Sequence, residues 1–184
     1  MSGSPSQADA TIAEWRHAGE QLDAGRAIGC LADQAVLISP LTARFTFNGR
    51  AQVATVLTAA FTVIRYHTET GDDRARALFY HGRCHGQDFE EAQLLRLDDH
   101  ACITEITLFG RPLPGLTAVM GQIGPVILRL QGRPRLARMI GLATGPLRAM
   151  VATGEQRIMP LADPRRGYDS SVDSGEETGT QARG

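Results

Sequence analysis

Alternating apolar and polar positions mark the middle of the chain, from Arg76 to Leu113. A period of two is typical of strands, and turn residues around Gly86 and over 98–101 divide this stretch in three. The pattern therefore predicts three antiparallel strands joined by two hairpins.

The register of these hairpins decides which side chains point inward. A four-residue second loop sets Gln93 opposite Ile106 and Glu91 opposite Leu108, because side chains alternate between the two faces. The same register sets Tyr80 opposite Gln93 across a first loop of four residues. Tyr80, Glu91 and Gln93 are then predicted to share the inner face with Phe89, Leu95, Leu97, Ile106 and Leu108.

Polar groups on a buried sheet face need hydrogen-bond partners, and a lined cavity would explain three of them together. A fully satisfied polar core is the first alternative. The second is a register slip of one residue, which would expose Glu91 and Gln93 and bury Ala92 and Leu94. The opposite face, with Glu90, Arg96 and Glu105, is predicted to be the wetter one.

Helical spacing precedes the hairpins. The first helix is predicted from Ala8 to near Gly25, with Asp9 as N-cap and Trp15 facing the core. The remaining predictions are helices over 26–32 and 50–64, the latter with Phe61 in its apolar stripe, and strands over 35–39, 42–47 and 65–70. This order is typical of an α+β fold.

Four segments together resemble a known family. They are the early helix with Trp15, the strand AVLISP ending at Pro40, the turn FTFNGR leading into a helix, and the hairpin LLRLDDHACITEITLFGRPL. In this order they resemble the nuclear transport factor 2-like superfamily, specifically its SnoaL-like branch, over residues 8–113. The resemblance implies an α+β conical barrel, in which a curved, mainly antiparallel sheet wraps around helices and encloses one deep pocket. Members are usually dimeric and include polyketide cyclases, ketosteroid isomerase, epoxide hydrolases and non-catalytic binders.

The catalytic positions that the resemblance implies hold other residues here. Ser39 stands where the isomerases have a proton-abstracting carboxylate, Trp15 where they have a tyrosine, and Gln93 where they have a protonated acid. A serine without an adjacent base is too weakly acidic for this role, and tryptophan does not titrate. The isomerase mechanism is therefore not expected. The Asp-Arg-Asp relay of the epoxide hydrolases is absent too, since Glu91 and Gln93 stand at its positions.

The remaining candidates for chemistry are Glu91, Tyr80 and His67. Glu91 is the one carboxylate predicted to point inward, where desolvation would raise its pKa toward the range useful for acid or base work. Tyr80 can donate a hydrogen bond, and SnoaL-like cyclases use a histidine, for which His67, predicted to share a face with Arg65 and Glu69, is the candidate. A half-exposed histidine paired with a neighbour is the alternative. The predicted ligand-binding residues are Trp15, Ser39, Phe61, Gln93, Leu95, Ile106, Leu108 and Arg111, the last at the pocket mouth unless it pairs with an acid.

Composition narrows the function classes. The chain has no lysine, which excludes a Schiff base and a phosphate-loop lysine, and its net charge of -1 does not favour nucleic acid. The candidates His81, Cys84 and His85 are predicted on different faces, so they do not form a metal site. We expect neither a metal nor another cofactor. Three irregularly spaced cysteines and no signal-like N-terminus favour a cytoplasmic protein.

Residues 114–160 are predicted to add a helical extension beyond the family's fold, with helices over 114–131 and 134–153. The apolar stripes of these helices would pack on the barrel mouth, a second copy or a partner. The arginines in this segment would allow contact with a membrane surface, which is a less favoured alternative. The stretch Leu113–Leu130 is interrupted by glycine, proline and arginine, so no bilayer span is expected. Residues 1–7 and 161–184 are predicted to be disordered.

Three functional hypotheses follow. The first is a pocket protein that binds a small, largely apolar molecule. The second is a cofactor-free acid/base enzyme, namely a polyketide-type cyclase, isomerase or hydratase. The third is a protein-interaction module that uses the C-terminal helices and has its pocket filled by side chains. A homodimer is expected, and Ala92, Leu94 and Phe109 on the outer sheet face suit such a contact.

Overall fold

Five α-helices and six strands make up most of the described part of the chain, and a short π-helix, Gly154–Ile158, and a short 3-10 helix, Met159–Ala162, follow the last α-helix. The computed structural model describes residues 6–60 and 64–164. The helices are α1 Gln7–Gln21, α2 Ala24–Gly29, α3 Arg50–Ala60, α4 Leu113–Leu130 and α5 Pro134–Thr153. The strands are β1 Leu31–Ile38, β2 Phe47–Asn48, β3 Ile64–Gly71, β4 Ala75–Cys84, β5 Gln87–Leu97 and β6 Ile103–Arg111. The predicted α+β class is confirmed.

The six strands form one curved sheet in the order β2-β1-β6-β5-β4-β3. Only β1 and β6 pair in parallel, and every other neighbouring pair is antiparallel. The edge strands β2 and β3 do not pair with each other, so the cone stays open along one side. Helices α1, α2 and α3 lie on the concave face, as the resemblance implied.

The two hairpins differ from the predicted register by two residues. The turn between β4 and β5 is the two-residue loop His85-Gly86, both with positive φ, instead of four residues, and Tyr80 consequently pairs with Glu91. Across the second hairpin Gln93 pairs with Leu108, because the loop over 98–102 is one residue longer than predicted and a bulge next to it adds one more. A shift of two residues preserves the alternation of faces, whereas a shift of one would have reversed it. The predicted inner and outer faces are therefore correct although the predicted pairs are wrong.

Two features of the first helices also differ from the predictions. Ser6 rather than Asp9 is the N-cap of α1: its hydroxyl accepts from the Asp9 backbone, and the Asp9 carboxylate accepts from the Ser6 backbone, which forms a reciprocal capping box. Helix α2 begins at Ala24, two residues early, and its end at Gly29 allows β1 to begin at Leu31.

The segments around the third helix are shorter than predicted. The strand expected over 42–47 is reduced to Phe47–Asn48. Helix α3 ends at Ala60 and Ile64 already belongs to β3, so the predicted end of the helix at Ile64 is wrong. Phe61 lies outside the described residues. The predicted disorder of the two chain ends also falls mainly on residues that the structure does not describe.

The core lies between the concave sheet face and the first three helices. Its largest fully buried side chains include Ile12 of α1, Val53 of α3 and Leu37, Leu78 and Leu95 of the sheet. On the convex face Arg96 and Glu105 form an ion pair at 3.4 Å, which confirms that face as the more polar one. Burial of this apolar set is the main stabilising term for such a fold.

Helix α4 closes the concave side of the sheet, and α5 packs on α4. Gly115 lets α4 approach closely, because a Cβ at this position would lie 2.6 Å from the backbone carbonyl oxygen of Asp88. By length and composition alone α4 is apolar enough to cross a membrane, with a mean hydropathy of 1.3, in spite of its prolines, its glycines and Arg129. In the structure, however, its apolar residues cover the cavity described below.

Candidate functional site

A cavity of about 310 Å³ lies between the concave sheet face, helix α3 and helix α4. Small-molecule sites are usually concave, mostly apolar and equipped with a few polar groups. The walls here are largely aliphatic, with Leu37, Val56, Ile106 and Leu108 on one side and Leu116, Met120, Ile123 and Ile127 of α4 on the other.

Five polar or aromatic side chains of the cavity form one connected network centred on Gln93. The amide oxygen of Gln93 accepts from Trp15 Nε1 at 2.9 Å and from Tyr66 Oη at 3.2 Å. The amide nitrogen of Gln93 donates to Tyr80 Oη at 3.3 Å. Tyr80 in turn donates its hydroxyl proton to Glu91 Oε2. The polar groups predicted to point inward are therefore all hydrogen-bonded.

Strand pairing explains why these residues meet. Tyr66, Tyr80 and Glu91 are directly paired neighbours across β3, β4 and β5, so their side chains project from the same face in a row. Gln93 lies two residues farther along β5, on the same face. Trp15 reaches Gln93 from α1, which crosses this end of the sheet.

Glu91 is the one carboxylate among the described residues that line the cavity, and that lining contains no arginine or histidine. Burial raises the pKa of Glu91 to about 7, against a smaller lowering by the Tyr80 hydrogen bond. Glu91 is half-buried and lines the open cavity. At neutral pH the group is therefore poised between its neutral and ionised forms.

The two tyrosines remain protonated donors. Burial raises the pKa of Tyr80 well above its ordinary value, and the neighbouring Glu91 adds to this shift. Burial also raises the pKa of Tyr66. Both phenols therefore serve as hydrogen-bond groups at physiological pH and not as bases.

The structure brings most of the predicted ligand-binding residues to the cavity. Trp15, Ser39, Gln93, Ile106 and Leu108 line it together with Tyr80 and Glu91. The Ser39 hydroxyl accepts from the Leu41 backbone at 3.2 Å, so it stabilises the local turn. No titratable group is recorded as its partner among the described residues.

Three predicted site residues lie elsewhere. Leu95 is fully buried in the core and does not line the cavity. Arg111 lies on the convex face, where its Nε donates to Glu90 Oε2 at 2.6 Å and lowers the pKa of that carboxyl. His67 is exposed, also on the convex face.

A bulge at His67 in β3 changes the face on which the later residues of this strand lie, so the predicted faces are wrong beyond it. Tyr66 pairs with Tyr80 and Thr68 pairs with Phe79, so His67 has no partner across the strand. An extra residue reverses the alternation beyond it. Glu69 consequently turns to the concave side, where it pairs with Arg16 at 3.0 Å, so the prediction that it shares a face with His67 is wrong.

Sequence reasoning missed Tyr66 as a cavity residue. The available signal was the alternation from Ile64, which is also a lining residue, to Tyr66 two positions later. The apolar stripe of α4 was recognised from its spacing, but its packing place was left open among three alternatives. In the structure α4 packs over the open end of the cavity, against β4, β5 and β6.

The residues His81, Cys84 and His85 do not converge, as predicted. His81 is exposed on the convex face, whereas Cys84 is buried and its thiol donates to Gln122 Oε1 at 2.9 Å. All three cysteines of the chain are free.

No protein-family model and no curated protein matches the chain. Solved structures do resemble it. A steroid delta-isomerase from Pseudomonas aeruginosa superposes with a TM-score of 0.64 and 22% identity over 70% of this chain and 96% of its own. An NTF2-like protein of unknown function from Cytophaga hutchinsonii ATCC 33406 gives a TM-score of 0.50 and 17% identity over 62% of this chain and 97% of its own.

A putative ketosteroid isomerase from Kribbella flavida DSM 17836 is a third neighbour, with a TM-score of 0.52 and 14% identity over 58% of this chain and 78% of its own. Identities this low show a shared fold and leave the chemistry open. The SnoaL-like branch therefore remains a prediction. The common architecture, together with the open cone and its cavity, shows that the chain has the nuclear transport factor 2-like fold.

Proposed function

We propose that this chain binds a small, largely apolar molecule that carries one polar group. The observation that supports this is the distribution of polarity in the cavity, whose walls are largely apolar and whose network of hydrogen-bonded side chains is centred on Gln93. Such a site would gain affinity from apolar burial and orientation from a single polar contact.

The polar contact of the ligand would be made with Glu91. Trp15 Nε1 and the Tyr80 hydroxyl already donate within the network, and Tyr80 occupies only Oε2 of the carboxyl. Within residues 6–60 and 64–164, no side chain or backbone group donates a hydrogen bond to Oε1. With a pKa of about 7, Glu91 can accept from a ligand hydroxyl when ionised or donate to a ligand carbonyl when neutral.

A matched pair of methionine variants tests the location of the site, with 2-naphthol as the probe in titration calorimetry. Met120→Phe adds volume to the roof of the cavity, whereas Met139→Phe makes the same change on α5, where Met139 is 59% exposed. We expect Met120→Phe to weaken binding at least about tenfold and Met139→Phe to leave it within about twofold. Equal affinities in both variants would place the binding elsewhere.

A cofactor-free acid/base enzyme is the second candidate, because a buried carboxyl with a pKa near 7 is suited to proton transfer. The test is deuterium exchange at the acidic carbon next to the carbonyl of 2-tetralone, followed by NMR. Exchange that the wild type accelerates and Glu91→Gln does not would support catalysis. The same rate in both proteins would remove Glu91 from any such mechanism.

We also propose a soluble, cytoplasmic homodimer that pairs through the convex sheet face. Phe109 is 56% exposed there and lies directly opposite Ala92 on the neighbouring strand, beside Leu94. Phe109→Glu should produce monomers in analytical ultracentrifugation, and Leu142→Glu on α5 should leave the dimer intact. Monomeric wild type would contradict the proposal.

The interaction-module hypothesis retains one supporting observation. The cavity is not filled by the side chains of residues 6–60 and 64–164, but α5 exposes Met139, Leu142 and Met150. A partner protein or, less favoured, a membrane surface would cover these side chains.

A further inference from the structure

Two histidines and a glutamate converge on the convex face of the sheet, away from the cavity. Their ligand atoms, from His67, His81 and Glu90, all lie within 4.8 Å of one another. The two imidazole rings stack with centroids 4.3 Å apart, and His67 Nε2 lies 3.8 Å from Glu90 Oε1. The cavity network does not use any of these groups.

The strand pairing and the bulge together create this cluster. His81 and Glu90 are direct partners across β4 and β5, so both side chains project from the convex face side by side. His67 is the unpaired residue of the β3 bulge, which turns its ring onto His81. Arg65 is the direct partner of His81, and without the bulge His67 would lie opposite Phe79, two residues from His81.

Neighbouring side chains orient two of the three groups. His67 Nδ1 is hydrogen-bonded to Thr68 Oγ1 at 2.9 Å, which leaves Nε2 directed at the cluster. Arg111 holds Glu90 through Oε2 and leaves Oε1 facing His67. Partners that fix the ring and the carboxylate in this way are typical of the surroundings of metal ligands.

We propose that His67, His81 and Glu90 bind a divalent ion of the zinc class, with water at the remaining position. Two imidazoles and one carboxylate suit Zn²⁺, Cu²⁺ or Ni²⁺ and not the oxygen-only sites of Mg²⁺ or Ca²⁺. Tetrahedral zinc with bonds of about 2.0–2.1 Å needs ligand atoms about 3.4 Å apart. The ligand atoms now lie within 4.8 Å of one another, so small rotations of the two exposed imidazoles would bring them to that separation.

The test is a calorimetric Zn²⁺ titration of the full chain without an affinity tag. We expect one ion per chain, and at least about tenfold weaker binding in each of His67→Ala, His81→Ala and Glu90→Gln, because each removes one of three ligands. His100→Ala is the matched control, since His100 is exposed in the loop between β5 and β6, and it should bind as the wild type does. Co²⁺ should give visible absorption bands of a low-coordinate site that are lost in His81→Ala.

Three results would overturn the proposal. These are no saturable Zn²⁺ binding by the wild type, binding that survives in all three ligand variants, or an equal loss in His100→Ala. The thermal unfolding of each variant without metal serves as the fold check, and the wild-type transition is expected. Because all three ligands come from one chain, Phe109→Glu, the variant expected to be monomeric, should bind Zn²⁺ with wild-type affinity. A loss of Zn²⁺ binding in this variant would contradict a site within a single chain.

Discussion

Tyr80 donates its phenolic proton to Glu91, and the two residues are direct partners across strands β4 and β5. The carboxyl is buried without a cationic neighbour in the cavity lining, so the Tyr80 hydrogen bond only partly offsets the cost of ionising it. Ionisation of Glu91 should therefore change the free energy of unfolding of the whole protein.

The first prediction concerns stability against pH. Burial gives Glu91 a pKa of about 7 in the folded chain against an ordinary value of 4.5, so the folded state keeps a proton that the unfolded state releases between these values. Below the lower pKa both states are protonated and the group contributes nothing. As pH rises through this window the free energy of unfolding should fall, by on the order of 3 kcal/mol in total.

Glu91→Gln should remove this pH-dependent loss of stability. The amide oxygen of the glutamine can still accept a hydrogen bond from Tyr80, but the amide group does not ionise. Urea unfolding at about pH 5 and about pH 8 measures the change in both proteins, and the wild type should lose more stability than the variant. An identical pH dependence would show that Glu91 titrates normally in the folded chain.

The second prediction concerns the hub of the network. Gln93→Leu keeps a similar volume but leaves the donors of Trp15 and Tyr66 without their acceptor. We expect a loss of about 2–4 kcal/mol in the free energy of unfolding, because buried polar groups without partners are costly. Gln87→Leu on the same strand lies outside the network and should change stability by less than about 0.5 kcal/mol. Similar losses in both variants would argue against the hub role.

The third prediction concerns the docking of the C-terminal helices. Gly115→Ala should destabilise the protein by about 1–3 kcal/mol, because its Cβ would press α4 away from the Asp88 backbone. Gly141→Ala in α5, whose Cβ would meet only Pro125 Cγ at 3.8 Å, should instead stabilise by about 0.5–1 kcal/mol. Chemical denaturation compares the two, and a neutral Gly115→Ala would mean that α4 does not lie this close to β5.

The fourth prediction concerns the pH profile of proton exchange in 2-tetralone, if the second candidate function holds. A carboxylate base acts in its ionised form, so the exchange rate should rise with pH around a midpoint of about 7, the pKa of Glu91. NMR rates across this range measure the midpoint. A wild-type profile that coincides with that of Glu91→Gln would assign the proton transfer to solvent or to another group.

Much of the fold could be predicted because its signals are periodic. Alternation located β4, β5 and β6, and helical spacing located α4 and α5, the latter with its observed bounds of Pro134–Thr153. The turn lengths were harder to predict, since the two-residue turn requires a positive φ at His85, and a positive φ is uncommon for residues other than glycine. The resulting error of two residues in the strand register did not change the predicted faces, because side chains alternate with a period of two.

The cavity was only partly predictable. Glu91, Tyr80 and Gln93 were predicted to point inward together, and the structure joins them by hydrogen bonds. The bulge at His67 could not be predicted from the sequence, because it depends on how β3 pairs with β4. For that reason Glu69 was predicted on the wrong face, whereas Tyr66 precedes the bulge and could have been predicted from its alternation with Ile64.

The central claim is that the polar end of an otherwise apolar cavity selects the ligand. The most direct measurement is the ratio of calorimetric affinities for 2-naphthol and 2-methylnaphthalene, which differ in one hydrogen-bonding group on the same rings. The wild type should prefer 2-naphthol by at least about tenfold, and Glu91→Leu should bring the ratio close to one. Equal affinities in the wild type, or a preference that survives Glu91→Leu, would contradict the account.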